Sequence, residues 1–146
     1  MYEVRVECDF AAAHFLKDYN GKCENLHGHN YKVFAHVSGN NLNEGGMLLD
    51  FGMLKSGLRE VCKEMDHTNL NDNPVFDQNP SAERIAEFIY NRLLGKIREK
   101  FNVDLSANSN SGIKLYAVDV FETETSRARY TIYFLLIIFN VIKRFY

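Results

Sequence analysis

The stretch YEVRVECDF, residues 2–10, decides the fold because its apolar side chains occupy even positions and its charged side chains occupy odd positions. Side chains alternate between the two faces of a strand, so this pattern predicts a strand with one buried face. Alternate residues from Tyr31 to Val37 repeat the pattern, and the turn-forming stretch SGNNLNEGG follows. We therefore expect a second strand that ends near Ser38.

Two amphipathic helices are predicted after these strands. Asp50 has the position of an N-cap, and apolar residues recur at helical spacing as far as about Met65. Asn79 followed by Pro80 predicts the cap and the first residue of a second helix. The apolar stripe of that helix consists of Ile85, Phe88, Ile89, Leu93, Ile97 and Phe101.

The remaining sequence predicts a hairpin of two long strands. These strands are Ile113–Phe121 and Arg127 to about Phe139, on either side of the turn ETETS. The element order is then strand, strand, helix, helix, strand, strand, within one domain that spans residues 1–146. This order predicts an α+β fold in which a four-stranded antiparallel sheet carries both helices on one face.

The composition excludes several classes of partner. A net charge of −2, a pI near 6.2 and scattered Lys and Arg residues provide no basic surface for nucleic acid or for an acidic membrane. A small-molecule partner is therefore expected. The N-terminus lacks the apolar core of a signal peptide, and the three cysteines are an odd number, so we expect a cytoplasmic protein.

An apolar extension begins near residue 131 and contains the unbroken run IYFLLIIF, residues 132–139. The run is too short to span a bilayer as a helix, because a spanning helix takes about 20 residues. A buried or interface strand is the favoured interpretation, and a membrane-surface anchor is the alternative.

Three histidines are predicted to share the buried face of the first two strands. His27 and His29 are two residues apart and continue the face of Tyr31, while His14 continues the even positions of the first strand. Neutral imidazoles on an apolar face need partners, and a divalent metal satisfies several at once. Three histidines with a fourth position open are typical of catalytic zinc, so Zn²⁺ is the predicted cofactor. His36 falls on the polar face and is interpreted as an ordinary core or surface residue.

Cys23 differs from the other two cysteines because it lies in a polar loop, beside Lys22 and four residues before His27. A nearby cation favours the thiolate, so Cys23 is a candidate nucleophile or general base. An idle exposed thiol and a fourth zinc ligand remain as alternatives. Cys8 and Cys62 fall on apolar faces and are interpreted as small core residues.

The dipeptide Asp66–His67 follows the first predicted helix. A carboxylate can orient and charge-stabilise an imidazole that exchanges protons with Cys23 or with a substrate. The alternative interpretation is a cap and a dipole partner at the end of the helix.

These residues belong to a larger set of motifs that extends from the first strand to about Tyr130. The motifs are His14; Cys23-x-x-x-His27-Gly28-His29; Asp50-Phe51; Asp66-His67 with Leu70-Asn71; Asn79-Pro80-Ser81 with Glu83; and Glu122-Thr123. In combination they resemble the family of 6-pyruvoyltetrahydropterin synthases and 6-carboxytetrahydropterin synthases.

The resemblance implies a role for each candidate residue. The zinc ligands would be His14, His27 and His29. The catalytic residues would be Cys23, Asp66 and His67. The substrate-binding residues would be Glu122, Ser81 and Glu24. Of these, Glu122 would anchor the pterin ring, because a carboxylate can accept two parallel hydrogen bonds from the guanidine-like edge of that ring.

The fold implied by the resemblance is the tunnelling fold, in which trimers close a barrel and two trimers stack into a homohexamer with sites at subunit interfaces. The implied substrate is 7,8-dihydroneopterin triphosphate. The three-residue gap between Cys23 and His27 resembles the branch that forms 6-carboxy-5,6,7,8-tetrahydropterin for queuosine synthesis. That branch releases acetaldehyde and triphosphate.

Other products, and another class of function, stay open. Glu24, beside Cys23, resembles a subgroup in which a glutamate is the base and 6-hydroxymethyl-dihydropterin is formed for folate synthesis. A dual-function enzyme is therefore one alternative, and a 6-pyruvoyltetrahydropterin synthase is another. A non-catalytic metal-binding protein is the alternative from outside the enzymes.

Overall fold

The computed structural model describes residues 1–132, and its first two strands form a long antiparallel ladder. β1 (Tyr2–His14) pairs with β2 (His27–Gly39) along the full length of both strands. The predicted alternation is confirmed in β1 and in the first part of β2, whereas residues 35–39 are buried on both faces, His36 and Ser38 included. The ladder places His14 directly opposite His27 at its last pair.

Two α-helices lie between the second strand and the C-terminal hairpin. α1 (Phe51–Met65) begins after Asp50, whose side chain accepts a hydrogen bond from the backbone N–H of Gly52, so the predicted cap is confirmed. α2 (Ala82–Phe101) is capped by Ser81. Within residues 1–132, neither of these helices is long and apolar enough to cross a membrane, and no other helix is.

The prediction that Asn79 caps α2, with Pro80 as its first residue, is wrong by two positions. The cap is Ser81, whose Oγ atom accepts a hydrogen bond from the backbone N–H of Arg84. The side-chain oxygen of Asn79 instead accepts a hydrogen bond from the backbone N–H of Lys17, at 2.6 Å. A cap needs an available side-chain acceptor, and the contact with the preceding loop occupies that of Asn79.

The sheet has five strands rather than the predicted four. The additional strand, β3 (Thr68–Asn69), is two residues long and lies parallel to the end of β1. β4 (Ile113–Thr123) and β5 (Ser126–Thr131) form the predicted antiparallel hairpin, and the strand order is β3-β1-β2-β4-β5. The predicted continuation of the last strand to Phe139, and with it most of the apolar extension, lies outside the described residues.

Both helices lie on one face of the sheet, as predicted, and the core is formed between the helices and that face. The largest fully buried side chains of the helices are Leu54, Leu58, Met65, Ile85, Ile89, Leu93 and Ile97. Burial of each such side chain contributes about 1.5–3 kcal/mol relative to exposure. The helices approach closely at Gly57, where a Cβ atom would lie 2.7 Å from the Cδ1 atom of Ile97.

The opposite face of the sheet carries a network of charged side chains. Asp119 of β4 is buried and accepts two hydrogen bonds from the guanidinium of Arg129, at 2.7 and 2.8 Å. Its Oδ2 atom also lies 2.8 Å from Nε2 of His36, whose Nδ1 lies 3.1 Å from a carboxylate oxygen of Glu3. His36 is therefore a buried residue held between two carboxylates, in agreement with its interpretation as an ordinary core residue.

Candidate metal centre and active site

Three histidine side chains meet at the end of the β1–β2 ladder. We call His14, His27 and His29 the histidine group. Their ligand atoms all lie within 4.8 Å of one another, and the centroids of their rings are 4.5 to 5.1 Å apart. In the part of the chain that the structure describes, they are the only cluster of three or more possible metal ligands so arranged. The structure thus brings the three predicted ligands together.

The rings of His14 and His27 are each held by one nitrogen. Nδ1 of His14 lies 2.8 Å from the carbonyl oxygen of Pro80, and Nδ1 of His27 lies 2.7 Å from that of Asn25. A carbonyl oxygen can only accept, so each Nδ1 donates and each Nε2 keeps its lone pair for a metal. Nε2 of His14 is buried and has no hydrogen-bond partner among residues 1–132.

The surroundings of His14 favour its neutral form. Burial lowers the pKa of His14 below its usual value, and the neighbouring rings of His27 and His29 lower it further, while the Pro80 carbonyl and Glu122 oppose the shift. The neutral imidazole is the form that binds a cation. Three imidazoles, one of them with a buried and unpartnered nitrogen, fit a divalent transition-metal ion.

Glu122 lies beside the histidine group because β4 is irregular near its end. The register between β4 and β5 shifts between Phe121 and Thr123, so Glu122 is the extra residue of a bulge. Its Oε1 atom lies 3.8 Å from Nε2 of His14, and its side chain is 27% exposed. The carboxylate therefore borders the predicted metal site while it remains open to solvent.

Cys23 and Glu24 lie in one 3₁₀ turn, residues 22–24, within the loop that joins β1 to β2. The backbone N–H of Leu16 donates to the carbonyl of Cys23 at 2.8 Å, which ties this turn to the end of β1. Cys23 is half-buried and, among the described residues, does not join the cluster of possible metal ligands. The exposed carboxylate of Glu24 accepts a hydrogen bond from the backbone N–H of Asn20.

Asp66 and His67 connect α1 to β3. Oδ1 of Asp66 accepts a hydrogen bond from the backbone N–H of Ala11 at 2.9 Å, and Oδ2 lies 2.8 Å from Nδ1 of His67. The Ala11 N–H, and after it His67, lower the pKa of Asp66 below its usual value. His67 has a φ of 56°, and its own N–H donates to the carbonyl of Ala11. The carboxylate can therefore orient the imidazole.

The structure does not bring His67 into contact with the histidine group of the same chain. Its side chain is 81% exposed and, within residues 1–132, makes no hydrogen bond, ion pair or ring contact with that group. His67 and His29 both line an open cleft of about 480 Å³ beside β1 and β3. Ser81, which was predicted to contact the substrate together with Glu122 and Glu24, caps α2 and follows Pro80 in the chain.

Comparison with known proteins identifies the family. The family model of 6-pyruvoyl tetrahydropterin synthase matches residues 3–132. The chain belongs to this family. The 6-carboxy-5,6,7,8-tetrahydropterin synthase of Synechocystis sp. is 35% identical over 136 residues, which cover 89% of this chain and 93% of that protein. The enzyme of the same name from Haemophilus influenzae is 31% identical, with 89% and 99% covered.

Solved structures of pterin synthases share the fold. The 6-pyruvoyl tetrahydropterin synthase of Caenorhabditis elegans superposes with a TM-score of 0.71 at 25% identity, over 89% of this chain and 94% of that one. A catalytic-residue variant of the Plasmodium vivax enzyme, with glutamate replaced by alanine, gives a TM-score of 0.66 at 25% identity, over 88% and 96%. The family resemblance is confirmed.

Sequence reasoning missed several supports of this pterin synthase site. Asn71 holds the chain just after β1, because its side chain accepts from the N–H of Phe15 and donates to the carbonyls of Phe15 and Gln78. Asparagine-rich segments often form such side-chain-to-backbone bonds, so the stretch 69–79 carried a usable signal. The carbonyl of Pro80 carried none, because a backbone acceptor has no signature in sequence.

Proposed function

We propose that this protein is a zinc-dependent lyase that converts 7,8-dihydroneopterin triphosphate and one water molecule to 6-carboxy-5,6,7,8-tetrahydropterin, acetaldehyde and triphosphate. The observation that carries the proposal is the histidine group, with ligand atoms within 4.8 Å of one another, in a chain of the pterin synthase family. Curated relatives that are 6-carboxy-5,6,7,8-tetrahydropterin synthases support this product. We place the activity in the cytoplasm and in queuosine synthesis.

The histidine group would hold Zn²⁺ through three imidazole nitrogens. Zinc accepts such ligands and, in catalytic sites, keeps a fourth position for water or substrate. A divalent cation bound there supplies Lewis acidity toward the side-chain oxygens of the substrate. The chain itself supplies orientation, because the carbonyls of Pro80 and Asn25 fix the rings of His14 and His27.

Cys23 and His67 are the proposed proton carriers. In this proposal the Cys23 thiolate takes a proton from the substrate side chain, and His67, oriented by Asp66, exchanges a second proton. His67 is 81% exposed and does not contact the histidine group of its own chain. We therefore assign it to the site of a neighbouring copy, within a homohexamer of two stacked trimers.

Glu122 is the proposed anchor for the pterin ring. Its position 3.8 Å from Nε2 of His14, with a partly exposed side chain, would hold a ring next to the metal centre and within reach of solvent. Ser81 and Glu24 are further proposed contacts with the substrate. Oγ of Ser81 accepts the Arg84 N–H at 3.4 Å, which leaves the hydroxyl proton free to donate.

Glu24 supports a second candidate product. It shares a 3₁₀ turn with Cys23, and a glutamate is a catalytic residue in the Plasmodium vivax relative. With Glu24 as the base, the side chain would be cleaved to give 6-hydroxymethyl-dihydropterin and the triphosphate ester of glycolaldehyde, and hydrolysis of that ester by water would give glycolaldehyde. A dual-function enzyme is therefore the second candidate.

Product identification by mass spectrometry tests these proposals. The zinc-loaded protein, incubated with 7,8-dihydroneopterin triphosphate, should release acetaldehyde and the 6-carboxy product. Cys23→Ala should abolish this release, while Glu24→Ala should preserve it. Glycolaldehyde that depends on Glu24 would establish the second candidate. A pyruvoyl product would identify the protein as a 6-pyruvoyltetrahydropterin synthase. No turnover by the wild type would leave a non-catalytic metal-binding protein.

A further inference from the structure

Tyr31 is a fully buried tyrosine whose hydroxyl has no hydrogen-bond partner in the described part of the chain. Among the side chains of residues 1–132, only the Tyr31 hydroxyl and Nε2 of His14 are buried polar atoms in this condition. A buried hydroxyl without a partner is destabilising, and buried polar groups are nearly always satisfied. A tyrosine at this position, where a phenylalanine would pack equally well, therefore indicates a partner in another state of the protein.

The ring of Tyr31 forms part of the wall of the histidine group. It makes edge contacts with His14 and His29, with centroids 5.9 and 5.5 Å apart. On its other side it stacks on Phe10, at 4.8 Å and an interplanar angle of 14°. These contacts fix the position of the phenolic oxygen, so a hydrogen bond forms only when an acceptor side chain moves toward it.

Glu122 lies at the end of β4 next to the strand that carries Tyr31. Lys32 of β2 and Phe121 of β4 are the last pair of their ladder, Tyr31 and Glu122 are the next residues of the two strands, and both residues border His14. A phenol carries its proton at neutral pH, so the Tyr31 hydroxyl is a hydrogen-bond donor. Oε1 of Glu122 is 3.8 Å from Nε2 of His14, which is too far for a hydrogen bond.

We propose that Tyr31 is a positioning residue of this site, whose hydroxyl donates a hydrogen bond to the carboxylate of Glu122 when a cation and a pterin are bound. Nε2 of His14 carries a lone pair and no proton, so it cannot donate to Glu122, whereas the buried hydroxyl of Tyr31 can. A bond to one carboxylate oxygen fixes the plane in which Glu122 meets the ring. The inference deepens the proposed function and rests on its assignment of Glu122 to the pterin.

Two matched Tyr→Phe variants separate this role from packing. In the metal-free protein, Tyr31→Phe removes an unpartnered hydroxyl, so the melting temperature should stay constant or rise. Tyr90 is the control, because its hydroxyl donates to the carbonyl of Leu115 at 3.0 Å. Tyr90→Phe should lower the melting temperature by about 4 °C. A comparable loss in Tyr31→Phe would mean that its hydroxyl is already satisfied, and would overturn the inference.

In the zinc-loaded protein, Tyr31→Phe should be the variant with the larger defect, and the defect should be in pterin binding. Tyr31→Phe should weaken the binding of neopterin, a fluorescent pterin without the triphosphate leaving group, by about 10-fold or more, because a bond to a charged acceptor is lost. Tyr90→Phe should bind neopterin like the wild type. Zinc content and the binding of inorganic triphosphate should be equal in all three proteins. Equal neopterin affinity of Tyr31→Phe and wild type would overturn the inference.

A crystal structure of the zinc-loaded protein with neopterin tests whether Tyr31 acts through Glu122. The phenolic oxygen of Tyr31 should lie about 2.5–3.0 Å from a carboxylate oxygen of Glu122. A direct bond from Tyr31 to the ligand, with none to Glu122, would overturn the inference. Turnover by the wild type is measured separately. Turnover combined with normal neopterin binding by Tyr31→Phe defeats this inference alone, and neopterin binding without turnover defeats the proposed reaction alone.

Discussion

Oδ2 of Asp66 lies 2.8 Å from Nδ1 of His67, and the other oxygen of the same carboxylate accepts the backbone N–H of Ala11. One acidic side chain therefore joins the end of α1 to β1 and orients an imidazole. Because the ring of His67 is 81% exposed, it is oriented without being buried. This combination suits a proton carrier for a substrate that is bound outside its own chain.

Replacement of Asp66 by asparagine should reduce turnover without removing the metal. The amide can still accept the N–H of Ala11, but it stabilises a protonated His67 less than a carboxylate does. We expect kcat to fall by about 10²–10⁴-fold at unchanged zinc content. Asp72→Asn is the control, because Asp72 accepts only an exposed hydrogen bond from Asn69. Normal kcat in Asp66→Asn would mean that Asp66 and His67 only cap the end of α1 and take no part in catalysis.

Two inactive variants should restore activity to each other if His67 works in a neighbouring copy. Cys23→Ala and His67→Ala should each be inactive alone. In mixed oligomers of equal composition, some sites contain both native residues, and roughly a quarter of wild-type activity should return. Mixing Cys23→Ala with the double variant Cys23→Ala/His67→Ala is the control and should remain inactive. Failure of the first mixture, with mixed oligomers demonstrated by mass, would place both residues in one chain.

Removal of one member of the histidine group should remove the bound metal. The wild type should retain about one zinc per chain after dialysis, because three imidazoles hold the ion. His29→Ala leaves two imidazoles and should retain almost none, as measured by elemental analysis. His67→Ala is the matched control and should keep its zinc while it loses turnover. A full zinc content in His29→Ala would contradict the proposed ligand set.

The regular part of the fold could be predicted because burial on one face leaves a period in the sequence. The alternation in β1 and β2 and the apolar stripes of the two helices are of this kind. β3 is different. Thr68 and Asn69 lie beside β1 because the preceding Asp66 and His67 bond to Ala11, and a contact between distant segments leaves no local pattern.

The convergence of His14, His27 and His29 could be predicted for the same reason, since strands place alternate residues on one face. The carbonyls of Pro80 and Asn25, which orient two of the rings, have no signature in sequence. Glu122 was reached only through the family resemblance. Its place beside His14 depends on a bulge, and the bulge arises from the pairing of β4 with β5.

Cys8 and Cys62 should differ sharply in reactivity, although both were interpreted as small core residues. A hydrogen bond with the Cys62 thiol lowers the pKa of Cys8 below its usual value, against the effect of burial. The same bond, together with burial, raises the pKa of Cys62 above its usual value. Iodoacetamide should therefore modify the half-buried Cys8 at a lower pH than an ordinary thiol, and Cys62 only after unfolding.

Peptide mass spectrometry measures both modification rates as a function of pH. Cys62→Ala removes the hydrogen bond and should move the midpoint of Cys8 toward its ordinary value near 9.0. If the midpoint of Cys8 is the same in this variant and in the wild type, the thiol pair does not cause the shift. Rapid modification of Cys62 in the native protein would contradict its burial.

The charged network of Asp119, Arg129 and His36, on the face of the sheet opposite the helices, should make the free energy of unfolding depend on pH. Burial alone would raise the pKa of Asp119, but the hydrogen bonds from Arg129 and His36 outweigh it and hold the pKa below its usual value of 3.8. The folded carboxylate is thus more acidic than the unfolded one. Its stabilising contribution is complete above the unfolded value and is lost as the pH falls through the folded value.

Asp119→Asn should therefore lower the free energy of unfolding at neutral pH by about 3 kcal/mol, because Arg129 and His36 lose their shared carboxylate. The difference from the wild type should shrink below pH 3.8, because Asp119 of the unfolded wild type takes up a proton there before Asp119 of the folded protein does. Denaturant titrations at about pH 7 and pH 3 measure both values. Asp104→Asn, which removes the exposed partner of Arg98, is the control and should change stability much less. A difference that stays constant across this range would mean that the charge of Asp119 does not stabilise the fold.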